Sequence, residues 1–91
     1  HNDLSTTVKV NCLEMIIGSK ILVNTLDNKR LELNIPAETK NGTTFSVNNY
    51  GIPDMRTGQR GKLFIRVEAS IPNNLSEEQI NKIKEVINEI N

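Results

Sequence analysis

The sequence predicts a mainly β domain, either a small two-sheet β-sandwich or a partly open barrel, with a short internal helix and a C-terminal α-helix. Apolar and polar residues alternate along five segments, which is the period of half-buried strands. Turn-forming pairs such as Asp27-Asn28 and Asn41-Gly42 separate some of these segments. The apolar spacing is helical for one short turn at residues 13–17 and then over a longer stretch after residue 75. The chain is therefore expected to be strands first and one longer helix last.

The first strand is predicted over residues 4–10. Its even-numbered residues fall on one face of the strand, and this face is more apolar than the one that carries Ser5, Thr7 and Lys9. Asn11 then has the side chain of a helix N-cap. Glu14 is placed three positions later, where its carboxylate can complete a capping box. Gly18 ends this brief helix.

A hairpin is predicted next, with strands at residues 21–25 and 30–35 joined by the Asp27-Asn28 turn. Pro36 ends its second strand. After the Asn41-Gly42 turn, alternation resumes briefly at residues 45–47. The loop that follows contains the Gly51-Ile52-Pro53 corner.

The longest strand is predicted between residues 63 and 71 and ends at Pro72. One face of it carries Leu63, Ile65, Val67, Ala69 and Ile71, which suits a strand central to a sheet. Ser76 is then a helix N-cap with Gln79 in the capping-box position, so a C-terminal helix is expected over about residues 76–90.

Length and composition favour one domain, residues 1–91, because 91 residues suffice for one modest core and no internal repeat is visible. Eleven basic residues balance eleven acidic ones, which gives no broad attraction to nucleic acid or an anionic membrane. Cys12 is the single cysteine, and no signal peptide or membrane-spanning segment is visible. We expect a cytoplasmic protein, and one that is a piece of a longer chain.

The residues that carry enzyme chemistry are sparse. The sole histidine is His1, so a serine or cysteine nucleophile has no internal histidine to act as its base. One cysteine and one histidine do not make a zinc site. Glu77-Glu78 fits the first turn of a helix, where the helix dipole favours carboxylates. We therefore expect no enzyme, catalytic residue, metal or cofactor.

The central segments, taken in order, resemble the C-terminal substrate-binding region of the DnaJ co-chaperones, and most closely its second subdomain. The matching motifs are Thr25-Leu26-Asp27-Asn28, Asn34-Ile35-Pro36-Ala37-Glu38-Thr39, Gly42, Gly51-Ile52-Pro53 and Gly61-Lys62-Leu63. Three residues depart from that pattern: Glu38 stands where glycine or a small residue is usual, Tyr50 where lysine is common, and Lys62 where aspartate is usual.

The resemblance implies a co-chaperone domain that binds unfolded or non-native polypeptide clients and supports dimerisation. In this family an extended client adds to a sheet edge beside a shallow groove. The groove positions fall here on Thr6, Val8, Val23 and Thr25. The parent protein would act with a DnaK-type chaperone through a J domain, whose His-Pro-Asp motif is absent from this chain.

Two alternatives remain open. Val8 and Val23 equally suit the core of the domain. The C-terminal helix carries an apolar stripe, namely Ile80, Ile83, Ile87 and Ile90, that either covers the chain's own sheet or forms a homodimer interface. The second arrangement would make the domain a self-association or structural adaptor module without client binding.

Overall fold

Five strands and two helices make up the fold in the computed structural model, which describes residues 2–91. In chain order they are β1 (Leu4–Asn11), α1 (Cys12–Ile17), β2 (Ser19–Asn24), β3 (Arg30–Ile35), β4 (Thr44–Val47), β5 (Leu63–Ser70) and α2 (Glu77–Ile90). The domain is mainly β, as the alternation predicts. His1, the only histidine, lies outside the described residues.

The strands form two separate sheets. One has three strands in the order β1-β5-β4, and the other is the antiparallel hairpin β2-β3. β5 is the central strand, parallel to β1 and antiparallel to β4. Within residues 2–91 no strand pairing joins the two sheets, so of the two predicted architectures the structure is the sandwich-like one.

The core lies between the sheets and is almost entirely aliphatic. Its buried members are Val10, Met15, Val23, Leu33, Ile35, Leu63, Ile65 and Val67. They come from α1 and from every strand except β4, whose Phe45 and Val47 pack at the margin of the cluster. Burial of aliphatic surface contributes about 25 cal/mol per Å², so this cluster is the main source of stability.

Local turn and cap chemistry sets the element ends. Asn11 Oδ1 accepts a hydrogen bond from the Leu13 amide at 2.9 Å, which confirms the predicted N-cap of α1. The predicted capping-box role of Glu14 is wrong, because its carboxylate accepts from Ser19 Oγ at 3.4 Å, beyond the end of the helix. Gly18 stops α1 at a φ of 90°.

The predicted core face of β5 is only partly correct. Leu63, Ile65 and Val67 are buried, but Ala69 is exposed and Ile71, just after the strand, is 83% exposed. Leu63, Ile65, Val67 and Ala69 share one side of the strand by alternation, whereas Ile71 follows its last residue. The buried cluster ends at Val67, so Ala69 lies past the layer that covers the first three.

Two glycines let the loop between β4 and β5 lie against the start of the chain. The Ile52 amide donates to Asn2 O at 2.7 Å, and the Gly51 amide donates to Gly61 O at 3.0 Å. A Cβ at Gly51 would lie 2.7 Å from the Gly61 carbonyl carbon, and a Cβ at Gly61 would collide with the backbone of Asn2. The Gly-Ile-Pro corner is thus a site of close backbone packing.

Glu38 has a left-handed backbone, with a φ of 60°. That conformation costs a residue with a Cβ about 1 to 2 kcal/mol, whereas glycine adopts it freely. We expect Glu38→Gly to stabilise the domain by about 0.5 to 1 kcal/mol, after the greater freedom of glycine in the unfolded chain is subtracted. Thermal unfolding measures the change. Glu32→Gly, in the middle of β3, is the control and should destabilise.

α2 stands away from the sandwich. None of its residues is buried, and only Ile83 is half-buried. The radius of gyration is 17.1 Å, against about 12 Å for a compact chain of this length. The molecule measures 58 × 24 × 16 Å, so it is a sandwich with a projecting helix. Ser76 and Gln79 form the predicted capping box at its start.

Candidate functional site

Two open strand edges are the first candidate surface. β1 pairs only with β5, and β2 pairs only with β3, so each strand has one edge without a neighbouring strand in the described part of the chain. An open edge presents main-chain donors and acceptors to a further strand. Residues 2–91 enclose no cavity, so these surfaces are open rather than pocket-like.

The main-chain hydrogen bonds show which residues face each edge. The Thr25 amide donates to Lys29 O at 2.8 Å, so in the β2-β3 register the odd-numbered residues of β2 bond to β3. The N–H and C=O groups of Lys20, Leu22 and Asn24 therefore point to the open edge. On β1, the Leu4 amide donates to Lys62 O at 2.8 Å, which leaves the alternate residues facing outward.

The four groove residues suggested by the sequence lie at different depths. Thr6 and Val8, on β1, are half-buried, and Val8 packs against the margin of the core. Val23 is 3% exposed and belongs to the core itself. Thr25 is buried at the end of the hairpin. Thr6 and Val8 are therefore partly accessible to solvent, whereas Val23 and Thr25 are covered.

Thr25 stabilises the hairpin turn through its hydroxyl. Oγ1 donates to Lys29 O and accepts from the Lys29 amide, both at 3.2 Å. Asp27, in the same turn, forms an ion pair with Arg60, whose Nε also donates to Gly51 O at 2.9 Å. These contacts join the end of the β2-β3 hairpin to the loop before β5.

Leu22 is an accessible apolar side chain on the edge strand β2, at a position where the alternation predicts a polar residue. It is 59% exposed, and it lies on the outer face of β2, opposite Glu32. Lys20 and Glu32 form an ion pair across the same face at 3.7 Å. The signal in the sequence is the run Ile21-Leu22-Val23, where an apolar residue stands at a position that alternation predicts to be polar.

The second candidate surface is the apolar stripe of α2. Ile80, Ile87 and Ile90 are exposed and Ile83 is half-buried. Val86 is exposed on the adjoining flank. The four isoleucines thus share a helix face and, in the single chain, lie outside the core. The sequence left open whether the stripe covers the chain's own sheet or forms a homodimer interface. In the single chain it does not cover the sheet.

Asp54 holds the tip of the loop between β4 and β5. Its Oδ1 accepts from the Arg56 amide at 2.7 Å and from the Thr57 amide at 3.2 Å. These two hydrogen bonds, with a further one from Asn2, lower the pKa of the Asp54 carboxyl below its ordinary value of 3.8. Hydrogen bonds to a carboxylate favour its charged form.

The lowered pKa of Asp54 predicts a loss of order in this loop at acid pH. Its contribution to folding is present above the unfolded-state pKa and is lost as the pH falls through the lower, folded-state pKa. We expect the Arg56 and Thr57 amide resonances to titrate with a midpoint below 3.8. The same titration in Asp54→Asn is the control. A midpoint above 3.8 in the unmodified chain would contradict the prediction.

Residues 2–91 contain no cluster of three or more histidine, cysteine, aspartate or glutamate side chains arranged to hold a metal ion. No helix in this described range has the length and apolar character needed to cross a membrane.

Comparison with known proteins identifies similar chains. The family model described as DnaJ C terminal domain matches residues 1–72. Proteins named Chaperone protein DnaJ from Thermosipho africanus and Thermosipho melanesiensis are 34% and 35% identical over 85 residues, which is 93% of this chain. One of the same name from Treponema denticola is 32% identical over 92% of this chain. The chain spans only 22 to 23% of the length of these relatives.

Proposed function

The chain belongs to the DnaJ C-terminal domain family, and from this membership we propose that it binds extended, non-native polypeptide along the open edge of β2. Its relatives carry the name of a chaperone, so a chaperone-related role is the starting point. The observation that supports the proposal is that, within residues 2–91, no strand pairs with the edge to which the main chain of Leu22 and Asn24 points, and that the side chain of Leu22 beside it is accessible.

The edge of β2 suits an added strand better than the edge of β1. The residues of β1 whose main chain faces outward are Ser5, Thr7 and Lys9, so no apolar side chain lies beside that edge. On β2 the central outward residue is leucine. Main-chain hydrogen bonds then supply affinity without reading the client's sequence, and Leu22 supplies an apolar contact.

Each groove residue has a role in this proposal. Thr6 and Val8 are half-buried on β1 and remain accessible in part, so in this proposal they offer contacts to a client side chain. Val23 and Thr25, both buried, hold β2 and its turn in position rather than touching the client. Such a surface accepts many sequences, as a chaperone requires.

A proline at position 22 tests the edge directly. Leu22→Pro removes an N–H that points outward, so the β2-β3 hydrogen bonds are kept. We expect the affinity for a fluorescent, reduced and alkylated, permanently unfolded protein to fall about tenfold, which corresponds to about 1.4 kcal/mol. Fluorescence anisotropy gives the dissociation constant.

Glu32→Pro is the matched control, because Glu32 faces Leu22 across the hairpin and its N–H points to the other open edge, that of β3. It should bind the client like the unmodified chain. Leu22→Thr, which keeps the N–H, separates the side-chain contribution. If Leu22→Pro binds normally and Thr7→Pro does not, the client edge is β1 rather than β2. Thermal unfolding of each variant confirms that the fold is retained.

Self-association through α2 is the second candidate function, favoured by the exposed stripe of isoleucines. A helix face with three exposed isoleucines and one half-buried isoleucine favours aggregation if the chain remains a monomer. We expect the chain to dimerise in a sedimentation-velocity concentration series, and Ile87→Asp to shift it to monomer.

Action with a DnaK-type chaperone is proposed for the parent protein, since this chain has no His-Pro-Asp motif.

A further inference from the structure

The β2-β3 turn and the loop before β5 meet at one end of the sandwich. β2 runs towards the turn at residues 25–29, and Asp27 in that turn pairs with Arg60, which lies just before β5. β1 starts beside the start of β5, because Leu4 is paired with Leu63. We call this end the loop end. α1 lies at the opposite end, since it follows the last residue of β1.

Three apolar side chains are exposed at the loop end. Leu26, in the hairpin turn, is 58% exposed, Ile52 is 39% exposed and Met55 is 99% exposed. The segments that carry them are held together by the ion pair between Asp27 and Arg60 and by the bridge pairing of residues 53 and 60. A single exposed apolar residue needs no explanation, but three on adjoining segments form a surface suited to a partner.

The backbone around Met55 is fixed by hydrogen bonds of the loop itself. The Asp54 amide donates to Gln59 O at 2.7 Å, and the Gly58 amide donates to Asp54 O at 2.9 Å. The Asp54 carboxylate accepts from the two amides that follow Met55. Because the backbone is already ordered, a partner that contacts Met55 loses little affinity to the ordering of the loop.

The loop end lies beyond the end of the β2 edge. β2 has six residues, which is about 20 Å at about 3.3 Å per residue. Leu22 is the apolar residue in the middle of this edge, and Leu26 follows the last residue of the strand, Asn24, by two positions. The Asp27–Arg60 pair then joins the turn to the loop. An extended polypeptide that continues along β2 past Asn24 is thus directed towards the loop end.

The chemistry of the loop end suits a partner of variable sequence. Methionine is unbranched and adapts its shape to different apolar groups. At the opposite end the most exposed apolar residues of α1 are Ile16 and Ile17, whose branching at Cβ makes them stiff. Asp27 and Arg60 neutralise each other between the two segments of the loop end, so neither charge selects a partner of opposite sign.

We propose that Met55 and Leu26 form a second apolar contact for the extended polypeptide client that lies along the edge of β2. This inference rests on the function proposed above. The occupant is the client because the loop end continues the path of the β2 edge, and because methionine accommodates the varied side chains of unfolded chains. The binding surface therefore favours client segments longer than the six residues of β2.

Two fluorescent peptides of different length test the proposal. Both consist of Thr-Leu repeats with a lysine at each end; one has three repeats and the other has seven. The shorter repeat region spans about 20 Å, like β2, and the longer spans about 46 Å. Met55→Gln is expected to raise the dissociation constant for the longer peptide about fivefold, because it removes part of the apolar contact area. The shorter peptide should bind both chains equally in fluorescence anisotropy.

Ile17→Gln is the matched control at the opposite end of β2. Ile17 is 75% exposed, so neither this substitution nor Met55→Gln should alter the fold, which circular dichroism checks. Ile17→Gln should leave the affinity for both peptides unchanged. If instead it weakens binding of the longer peptide while Met55→Gln has no effect, the client runs over α1 and the proposal is overturned.

Leu22→Pro separates this inference from the proposed function. Weaker binding of both peptides by Leu22→Pro, with weaker binding of only the longer one by Met55→Gln, supports the two proposals together. If Leu22→Pro weakens both and Met55→Gln weakens neither, the β2 edge stands and the contact at the loop end is overturned. If Leu22→Pro weakens neither, the β2 edge fails and this inference fails with it.

Oxidation of Met55 is a second test that needs no change of sequence at that position. Hydrogen peroxide transfers one oxygen atom to the thioether sulfur; its O–O bond breaks, and the peroxide is reduced to water. Met15, the other methionine, is 3% exposed and should stay reduced, which mass spectrometry checks.

Both chains in the oxidation experiment carry Cys12→Ser, so that no thiol reacts. The oxidised chain is expected to bind the longer peptide about as weakly as Met55→Gln does. Met55→Leu keeps an apolar side chain without sulfur, so peroxide should leave its affinity unchanged. An equal loss in Met55→Leu would show that the effect arises elsewhere and would overturn the role of Met55.

Discussion

Replacing Gly51 by alanine is expected to destabilise the domain by at least about 3 kcal/mol, the upper range for overpacking a tight contact. The added Cβ would lie 2.7 Å from the Gly61 carbonyl carbon and 2.8 Å from Lys62 O, and it would also collide with Asn2 O. All three neighbours are backbone atoms, which have no alternative rotamer. Chemical denaturation measured by circular dichroism gives the free energy of unfolding.

Gly61→Ala is the companion substitution, because the three atoms nearest to its added Cβ all belong to the start of the chain, at Asn2 and Asp3. The domain can relieve this clash by releasing that segment. Release would break the Asn2 O–Ile52 N and Asp3 Oδ1–Lys62 N hydrogen bonds, both 2.7 Å, each worth about 1 kcal/mol.

A truncated chain that starts at Leu4 separates the two glycines. In this background the cost of Gly61→Ala should nearly vanish, whereas the cost of Gly51→Ala should persist, since Gly61 and Lys62 remain in place. A double-mutant cycle measures the difference. If truncation rescues both variants equally, the backbone packing between Gly51 and Gly61 contributes less than the geometry indicates.

Ile65→Ala is the second large effect, with an expected loss of about 2 to 5 kcal/mol. Ile65 has no exposed surface and lies at the middle of the central strand, so truncation leaves a cavity lined by both sheets. Domains of this size have a total stability of only about 5 to 15 kcal/mol. The substitution is therefore expected to leave a population of unfolded chain that thermal denaturation detects at a much lower midpoint.

Ile71→Ala is the matched control, with the same chemical change at a position that is 83% exposed. It should alter the stability of the monomer by less than about 0.5 kcal/mol. A comparable loss from both substitutions would mean that Ile71 is covered in solution, either by another part of its own chain or by a second copy. Repeating the measurement at low protein concentration distinguishes these cases.

The contrast between Ile65 and Ile71 shows what alternation along a strand can predict. It predicts that both side chains point to the same side of β5, but Ile71 lies beyond the last residue of that strand, Ser70. It does not predict how far the opposite sheet extends, which depends on elements distant in the sequence. The same distinction explains why Thr6 and Val8 are half-buried while Val23 and Thr25 are buried, although the family resemblance assigned all four to one groove.

Local signals were the most informative. The α2 cap at Ser76 and Gln79 and the turn at Asp27-Asn28 depend on residues within a few positions, and the structure confirms both. The parallel pairing of β1 with β5 had no such signal, since it joins segments at opposite ends of the sandwich sequence. Family resemblance supplied the functional hypothesis, and the open edges that give it a physical form were visible only in the structure.

The parallel pairing of β1 and β5 has a consequence for synthesis on the ribosome. β1 is made first, yet its only strand partner begins at Leu63, 59 residues after Leu4 by subtraction of the paired positions. Chains emerge at about 5 to 20 residues per second, so β1 waits several seconds with both edges unpaired. The three-stranded sheet therefore cannot form until most of the domain has been synthesised, whereas the β2-β3 hairpin has both of its strands much earlier.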